Sequence, residues 1–63
     1  MTTAHSDRRT LAALDALVLA NAEPTVTAMS QHSGLTARQT LNALDRLTAA
    51  GVVRFGRDGW GRA

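Results

Sequence analysis

The sequence predicts a mostly α-helical domain that ends in a small β-hairpin, an α+β fold of three helices and two short strands. Two observations lead to this fold class. Leucines recur at helical spacing in two stretches, 11–18 and 41–47. A β-prone run at 52–55 precedes an Asp-Gly pair, which is typical of a tight hairpin turn. At 63 residues the chain forms one domain at most.

Apolar side chains must supply the stability of this domain, because the chain has no cysteine and therefore no disulfide. A domain of this size buries only about 60% of its unfolded surface. The residues expected in the core are Leu11, Leu14, Leu17, Val18, Leu19, Val26, Met29, Leu35, Leu41, Leu44, Leu47, Val52, Val53 and Phe55, with Trp60 at one edge. This supply suffices for one small domain and leaves no room for a substrate-sized pocket.

The first helix is predicted over residues 7–20, after a flexible tail at 1–6. Asp7 lies where the positive end of the helix dipole favours an acid. The helix ends before Pro24, because proline disfavours helical backbone in the residue that precedes it.

A second, short helix is predicted over residues 28–33. Thr27 is expected to cap its start, and Gly34 is expected to end it in the left-handed conformation that glycine tolerates. A third helix is predicted over 37–50. Its start carries Thr-x-x-Gln, the pattern of a capping box, and Gly51 is expected to terminate it.

The C-terminal segment, residues 52–63, is predicted to be a hairpin. Asp58-Gly59 is the expected two-residue turn. That turn sets the strand partners as Arg57 with Trp60, Gly56 with Gly61 and Phe55 with Arg62.

Basic charge is concentrated in the second half of the chain. Residues 1–33 carry two arginines against three acids, a net −1, and residues 34–63 carry five arginines against two acids, a net +3. A genomic preference for arginine would explain the absence of lysine but not this asymmetry. The flat guanidinium group suits phosphates and guanine edges better than an ammonium does.

One face of the third helix carries polar residue types that are able to form hydrogen bonds with DNA bases. At about 100° per residue, Leu41, Leu44, Leu47, Thr40 and Ala37 fall on the face expected to be buried. The opposite face carries Arg38, Gln39, Asn42 and Arg46. Arginine recognises guanine, and asparagine or glutamine recognises adenine. Two alternatives stay open, since Gln39 can cap its helix instead and Arg46 can pair with Asp45 or Asp15.

The stretch GLTARQTLNALDRLTAAGVV, from Gly34 to Val53, resembles the winged helix-turn-helix domains of bacterial transcription regulators of the MarR, IclR and GntR types. Those families show a Gly-Leu-Ser/Thr turn, a leucine-bearing helix and Gly-Leu/Val-Val before a basic wing. The matching positions are Gly34, Leu35, Thr36, Leu44, Leu47, Gly51, Val52 and Val53, and RFGRDGWGRA looks like the wing. The resemblance covers residues 8–63. The chain departs from the pattern at Thr40, and it ends where those regulators continue into a further domain.

The resemblance implies sequence-specific binding of double-stranded DNA by a bacterial, cytoplasmic transcription regulator. Its recognition helix would enter the major groove, and its wing would meet the flanking groove or the backbone. The expected DNA-binding residues are Thr27, Thr36, Arg38, Gln39, Asn42, Arg46, Arg54 and Arg57. Thr27 is expected to contact phosphate at the start of its helix.

The expected partners are DNA and a second copy of the chain, paired through the first helix and the N-terminal tail, or bound in tandem. No cofactor, metal, membrane or small-molecule effector is expected. No catalytic constellation is evident, because Ser33 and His32 point apart on a helix and the glycines near the C-terminus belong to a hairpin, so an enzyme is not expected. The alternative function is a protein–protein adaptor of the same fold that does not bind DNA.

Overall fold

The computed structural model describes residues 3–63 and confirms the predicted fold class of three helices followed by an antiparallel hairpin. The elements are α1 Thr3–Leu19, α2 Val26–Ser33, α3 Ala37–Ala49, β1 Val53–Gly56 and β2 Gly59–Arg62. The three helices pack on one another, with α3 contacting β1 and α1 contacting β2. Within the described residues, no helix combines the length and the apolar character needed to cross a membrane.

Helix α1 begins earlier than predicted. Residues 3–6 are helical, so the expected tail at 1–6 is wrong over this part, and residues 1 and 2 lie outside the described residues. Ser6 is buried, and Asp7 accepts hydrogen bonds from Arg46 on α3. Contacts with the rest of the domain therefore hold the extra turn in place.

Helix α2 also begins earlier than predicted, because Thr25 and not Thr27 is its N-cap. Thr25 has extended backbone, and its Oγ1 accepts a hydrogen bond from the Ala28 amide at 3.0 Å. Thr27 is the second residue of the helix, and its side chain is exposed. The end of the helix is as predicted, since Gly34 is left-handed at φ 77° and its amide donates to the Ser30 carbonyl.

Both ends of helix α3 follow the sequence prediction. Thr36 and Gln39 form the expected capping box, in which each side chain accepts a hydrogen bond from the backbone amide of the other. Gly51 is left-handed at φ 76°. The Val52 amide then donates to the Leu47 carbonyl at 2.9 Å, which satisfies a free carbonyl of the last turn.

The core is smaller than the sequence suggested. Its buried apolar residues include Ala13, Leu14, Met29, Leu35, Ala43, Leu44, Leu47 and Val53. Four expected core residues are instead exposed: Val18 (52%), Leu19 (88%), Leu41 (45%) and Phe55 (70%). Leu19 follows the buried Leu14 by five residues, about 140° around the helix, and so faces away from the core.

The buried face of α3 is rotated away from Leu41 toward Thr40 and Ala43, both of which are fully buried. Thr40 fits in the core because its hydroxyl donates to the Thr36 carbonyl one turn earlier, at 3.0 Å. The departure from the winged-helix pattern at this position therefore leaves no unpaired hydroxyl.

The register of the hairpin differs from the prediction. The pairs are Val53 with Arg62, Arg54 with Gly61, Phe55 with Trp60 and Gly56 with Gly59, so the turn is Arg57-Asp58. The predicted turn needs positive φ at both Asp58 and Gly59, but only Gly59 has it, at φ 102°. The observed register places the Phe55 and Trp60 rings opposite each other, with centroids 5.1 Å apart.

Candidate nucleic-acid interface

Arg38 and Asn42 form the centre of the exposed face of α3. They are four residues apart, one helical turn, so their side chains are neighbours on the surface. Both are exposed. Neither forms a hydrogen bond or an ion pair with another residue in the part of the chain that the structure describes. Their donors are therefore available to an external ligand.

Gln39 performs the structural role that the sequence left open. Its Oε1 accepts a hydrogen bond from the Thr36 amide at 2.9 Å. In return, the Gln39 amide donates to the Thr36 Oγ1 at 3.1 Å. This reciprocal pair fixes the start of α3 and thereby the position of Arg38 two residues into the helix.

Arg46 is directed toward α1 instead of the open face. Its Nε and Nη2 both donate to Oδ1 of Asp7, at 3.0 Å and 2.8 Å. The partner is therefore neither Asp45 nor Asp15, the two acids that the sequence suggested. It is Asp7, 39 residues away on α1. Arg46 therefore links α3 to α1, whereas Arg38 and Asn42 have no such partner.

Leu41 and Asp45 share the exposed face with Arg38 and Asn42. Leu41 follows Arg38 by three residues, and Asp45 follows Asn42 by three, so the four side chains adjoin. A leucine on such a face can contact a thymine methyl group, and a carboxylate can accept from the amino group of cytosine. The sequence analysis placed Leu41 in the core because leucine is usually buried, whereas this side chain is 45% exposed. Its exposure is indicated by the positions of Ala43, Leu44 and Leu47, which form a narrow apolar face on the helix that excludes Leu41.

Arg54 and Arg57 are basic residues of the hairpin whose side chains have no partner in the described residues. Side chains alternate along a strand, so Arg54 lies on the face opposite the buried Val53, toward solvent. Arg57 lies in the turn. Within residues 3–63 neither side chain has a hydrogen-bonding or ionic partner. Both can therefore reach a phosphate.

Arg62 anchors the hairpin to α1 and is not free. Its Nε donates to Oδ1 of Asp15 at 3.0 Å, and its Nη2 donates to Oδ2 at 2.8 Å. These hydrogen bonds lower the pKa of the Asp15 carboxyl and outweigh the opposing effect of burial, and the positive charge of Arg62 lowers the pKa further. The same pair raises the pKa of Arg62. This fork-to-fork contact and the Trp60 amide, which donates to the Pro24 carbonyl at 3.3 Å, fix the orientation of the hairpin.

The tip of the hairpin lies beside the loop that leads into α2. Arg57, Trp60 and Pro24 line one open groove of about 590 Å³. Thr27 follows Pro24 by three residues, in the first turn of α2. The structure thus groups Arg57 with the start of α2, and Arg38 and Asn42 with the start of α3 at Thr36. Among residues 3–63, no three histidine or acidic side chains are grouped as metal ligands would be.

Comparison of the chain with known protein families, with curated proteins and with solved structures finds no match.

Proposed function

We propose that the protein binds double-stranded DNA in a sequence-specific manner, as a small bacterial transcription regulator of the winged helix-turn-helix type. Helix α3 would lie in the major groove, and the hairpin would act as the wing along the flanking groove or backbone. The observation that carries the proposal is the pair of exposed, unpartnered side chains Arg38 and Asn42, one turn apart near the start of α3.

The chemistry of this pair supports base reading. Arginine donates two hydrogen bonds to O6 and N7 of guanine, and asparagine both donates to and accepts from adenine. A major groove about 12 Å wide admits one helix, and the N-terminal part of a recognition helix is the part that meets the bases. The capping box at Thr36 fixes this end of α3. The two side chains therefore start from a rigid backbone, which reduces the entropy lost on binding.

Affinity would come mainly from phosphate contacts. Arg54 and Arg57 supply two positive charges that no described acid neutralises. The hydroxyls of Thr27 and Thr36, at the starts of α2 and α3, are further phosphate donors next to free backbone amides. Arg46 would support the interface from behind by holding α3 on α1.

Selection from a pool of random duplexes at two salt concentrations tests the proposal. We expect a short motif to be enriched and the affinity to fall steeply with salt, because each neutralised phosphate releases bound counterions. Retention without enrichment would reduce the function to non-specific DNA binding. The absence of both enrichment and salt-sensitive retention would exclude DNA as the ligand.

The alternative function, a protein–protein adaptor, is favoured by one observation. Leu41 and Phe55 are large apolar side chains on or near the proposed interface, and both are exposed. Aromatic and aliphatic anchors of this kind are typical of protein interfaces. Under the adaptor hypothesis Leu41→Ala would abolish partner binding while Arg38→Ala would have a smaller effect, the reverse of the order expected for DNA.

A further inference from the structure

The outward face of α1 carries exposed apolar residues near its end and two exposed charged residues, of which Asp15 also pairs with Arg62 in the fold. Leu19 is 88% exposed and Val18 is 52% exposed at the end of this helix. Arg8 is exposed and has no partner in residues 3–63. Asp15 follows Arg8 by seven residues, two turns, and so lies on the same line along the helix.

This pattern is complementary to itself under a two-fold rotation. If α1 is laid antiparallel on a second α1 with the axis between positions 11 and 12, Arg8 faces an acid, Leu11 and Leu19 each face an alanine, and Val18 faces His5. The facing positions are Arg8 with Asp15, Leu11 with Ala12, and Ala4 with Leu19 of the second copy. A two-fold interface requires this kind of self-complementarity.

Other registers lose the match. Moving the axis one turn toward the end of α1 places Asp15 against Asp15 of the second copy. Moving it one turn toward the start places Arg8 against Arg8. Like charges directly opposed are unfavourable, so the charges favour the axis between positions 11 and 12.

We propose that α1 is the dimer surface of this protein, pairing antiparallel with α1 of a second copy through reciprocal contacts between Arg8 and Asp15. Asp15 has capacity for both arginines. Arg62 uses one lone pair on each carboxylate oxygen, and each oxygen retains another. This surface deepens the homodimer expectation but rests on α1 alone, not on DNA binding.

The dimer should be weak. Helix α1 has 17 residues and offers a strip about 25 Å long. The area that such a strip can bury is smaller than the roughly 800 Å² that each partner buries in a stable interface. We therefore expect a dissociation constant in the micromolar range or weaker in the absence of another ligand.

Charge exchange between two variants tests the pairing by sedimentation equilibrium. The wild-type mass should rise from 6.7 kDa toward twice that value as concentration increases from about 10 µM to about 1 mM. Arg8→Asp and Asp15→Arg should each weaken self-association about tenfold, because each homodimer then opposes like charges twice. An equimolar mixture of the two variants should associate again, because both reciprocal contacts become opposite in charge.

Arg9→Asp is the matched control. It makes the same charge change one residue away, but Arg9 donates to the Ser33 carbonyl on α2 and lies off the proposed face. Leu19→Ser is the second variant and should weaken association without loss of helicity, since this exposed side chain makes little contact in the fold. Arg62→Ala controls for the loss of the intramolecular pair and should leave association intact.

The outcomes are distinct. A wild-type protein that stays monomeric throughout, a mixture that fails to associate, or an Arg9→Asp variant as defective as Arg8→Asp would each overturn the proposal. Association without selection of a DNA motif would overturn the proposed function and leave the dimer surface standing. A monomer that selects a motif would do the reverse.

Discussion

Arg46 and Asp7 join the third helix to the first through two hydrogen bonds that end on the same carboxylate oxygen, at 3.0 Å and 2.8 Å. Both side chains are partly shielded from water, at 39% and 26% exposure. This contact explains two departures from the sequence prediction. It occupies an arginine expected at DNA, and it holds the first turns of α1 in a region predicted to be a tail.

Arg46→Ala should therefore reduce the stability of the fold. The expected loss is about 1 kcal/mol, since partly buried pairs exceed exposed ones in strength but bear a desolvation cost. For a domain of this size that corresponds to a fall in Tm of about 4–8 °C, measurable by circular dichroism. Arg38→Ala on the same helix makes the same charge change without breaking a described contact and should melt like the wild type. Equal melting of both variants would mean that the pair contributes nothing.

Leu44 and Leu41 provide a second matched pair on α3. Leu44 is fully buried, whereas Leu41 is 45% exposed. Leu44→Ala should cost about 2–5 kcal/mol, which is most of the stability expected for about 60 residues. Leu41→Ala should cost less than about 1 kcal/mol. Urea unfolding of both variants measures the difference, and comparable losses would place Leu41 in the core after all.

The sequence predicted the ends of α3 because capping is local chemistry. Thr36 and Gln39 are three residues apart, and their reciprocal hydrogen bonds need no other part of the chain. The same local reasoning failed at α2, where two threonines were available and only Thr25 has the extended backbone of a cap. The burial of Leu41 was also mispredicted, because the fully buried Ala43 shifts the buried face away from Leu41.

Gly59 and Gly61 should respond in opposite ways to alanine. Gly59 has φ 102°, and a Cβ there would lie 3.2 Å from the Pro24 carbonyl oxygen. Gly59→Ala should cost about 1–3 kcal/mol from backbone strain and this close approach. Gly61 has ordinary backbone and nothing within 4 Å of a Cβ, so Gly61→Ala should be neutral or stabilising by up to about 1 kcal/mol. Thermal melts of the two variants measure the difference. A Gly59→Ala variant that melts like the wild type would contradict the prediction.

The register of the hairpin could not be read from the sequence alone. Asp58-Gly59 is a strong local turn signal, yet the turn forms at Arg57-Asp58. The observed register pairs Phe55 with Trp60, and aromatic cross-strand pairs stabilise a hairpin. It also brings the Trp60 amide to the Pro24 carbonyl. These contacts join residues far apart in sequence, which a reading of local patterns does not weigh.

Arg38→Ala and Asn42→Ala should remove sequence preference while leaving the fold intact. Each lost bidentate contact should cost about 1–3 kcal/mol in discrimination against the wrong base, as measured by competition between the selected motif and a scrambled duplex. Arg57→Ala should weaken binding to both duplexes alike and reduce the salt slope by about one unit. Discrimination that survives both α3 variants would mean that this helix does not read the bases.

Five of the site residues expected from the sequence have side chains without a partner in residues 3–63: Thr27, Arg38, Asn42, Arg54 and Arg57. Thr36, Gln39 and Arg46 have capping or tertiary partners instead. The difference has a physical basis. Exposure on a helix face follows from periodicity, whereas the capture of a long arginine by an acid 39 residues away depends on how two helices pack.

Asp15 and Arg62 make one part of the stability depend on pH. The hydrogen bonds from Arg62, assisted by its charge, hold the pKa of the Asp15 carboxyl below its usual value of 3.8. A carboxyl with a lowered pKa in the folded state binds a proton less readily there than when unfolded. Its stabilising contribution is therefore complete above the unfolded pKa and is lost as pH falls through the folded one.

Asp15→Asn should accordingly melt at a slightly lower temperature than the wild type at neutral pH, and the gap should close as pH falls below about 4. The gap should also shrink in high salt, since both side chains are exposed, at 51% and 54%. Arg62→Ala should show the same gap at neutral pH, and adding Asp15→Asn to it should change nothing more, because the pair is already broken. The melts are best recorded at low micromolar concentration, where self-association through α1 does not contribute. A gap that persists in acid would mean that Asp15 stabilises the fold through a contact other than Arg62.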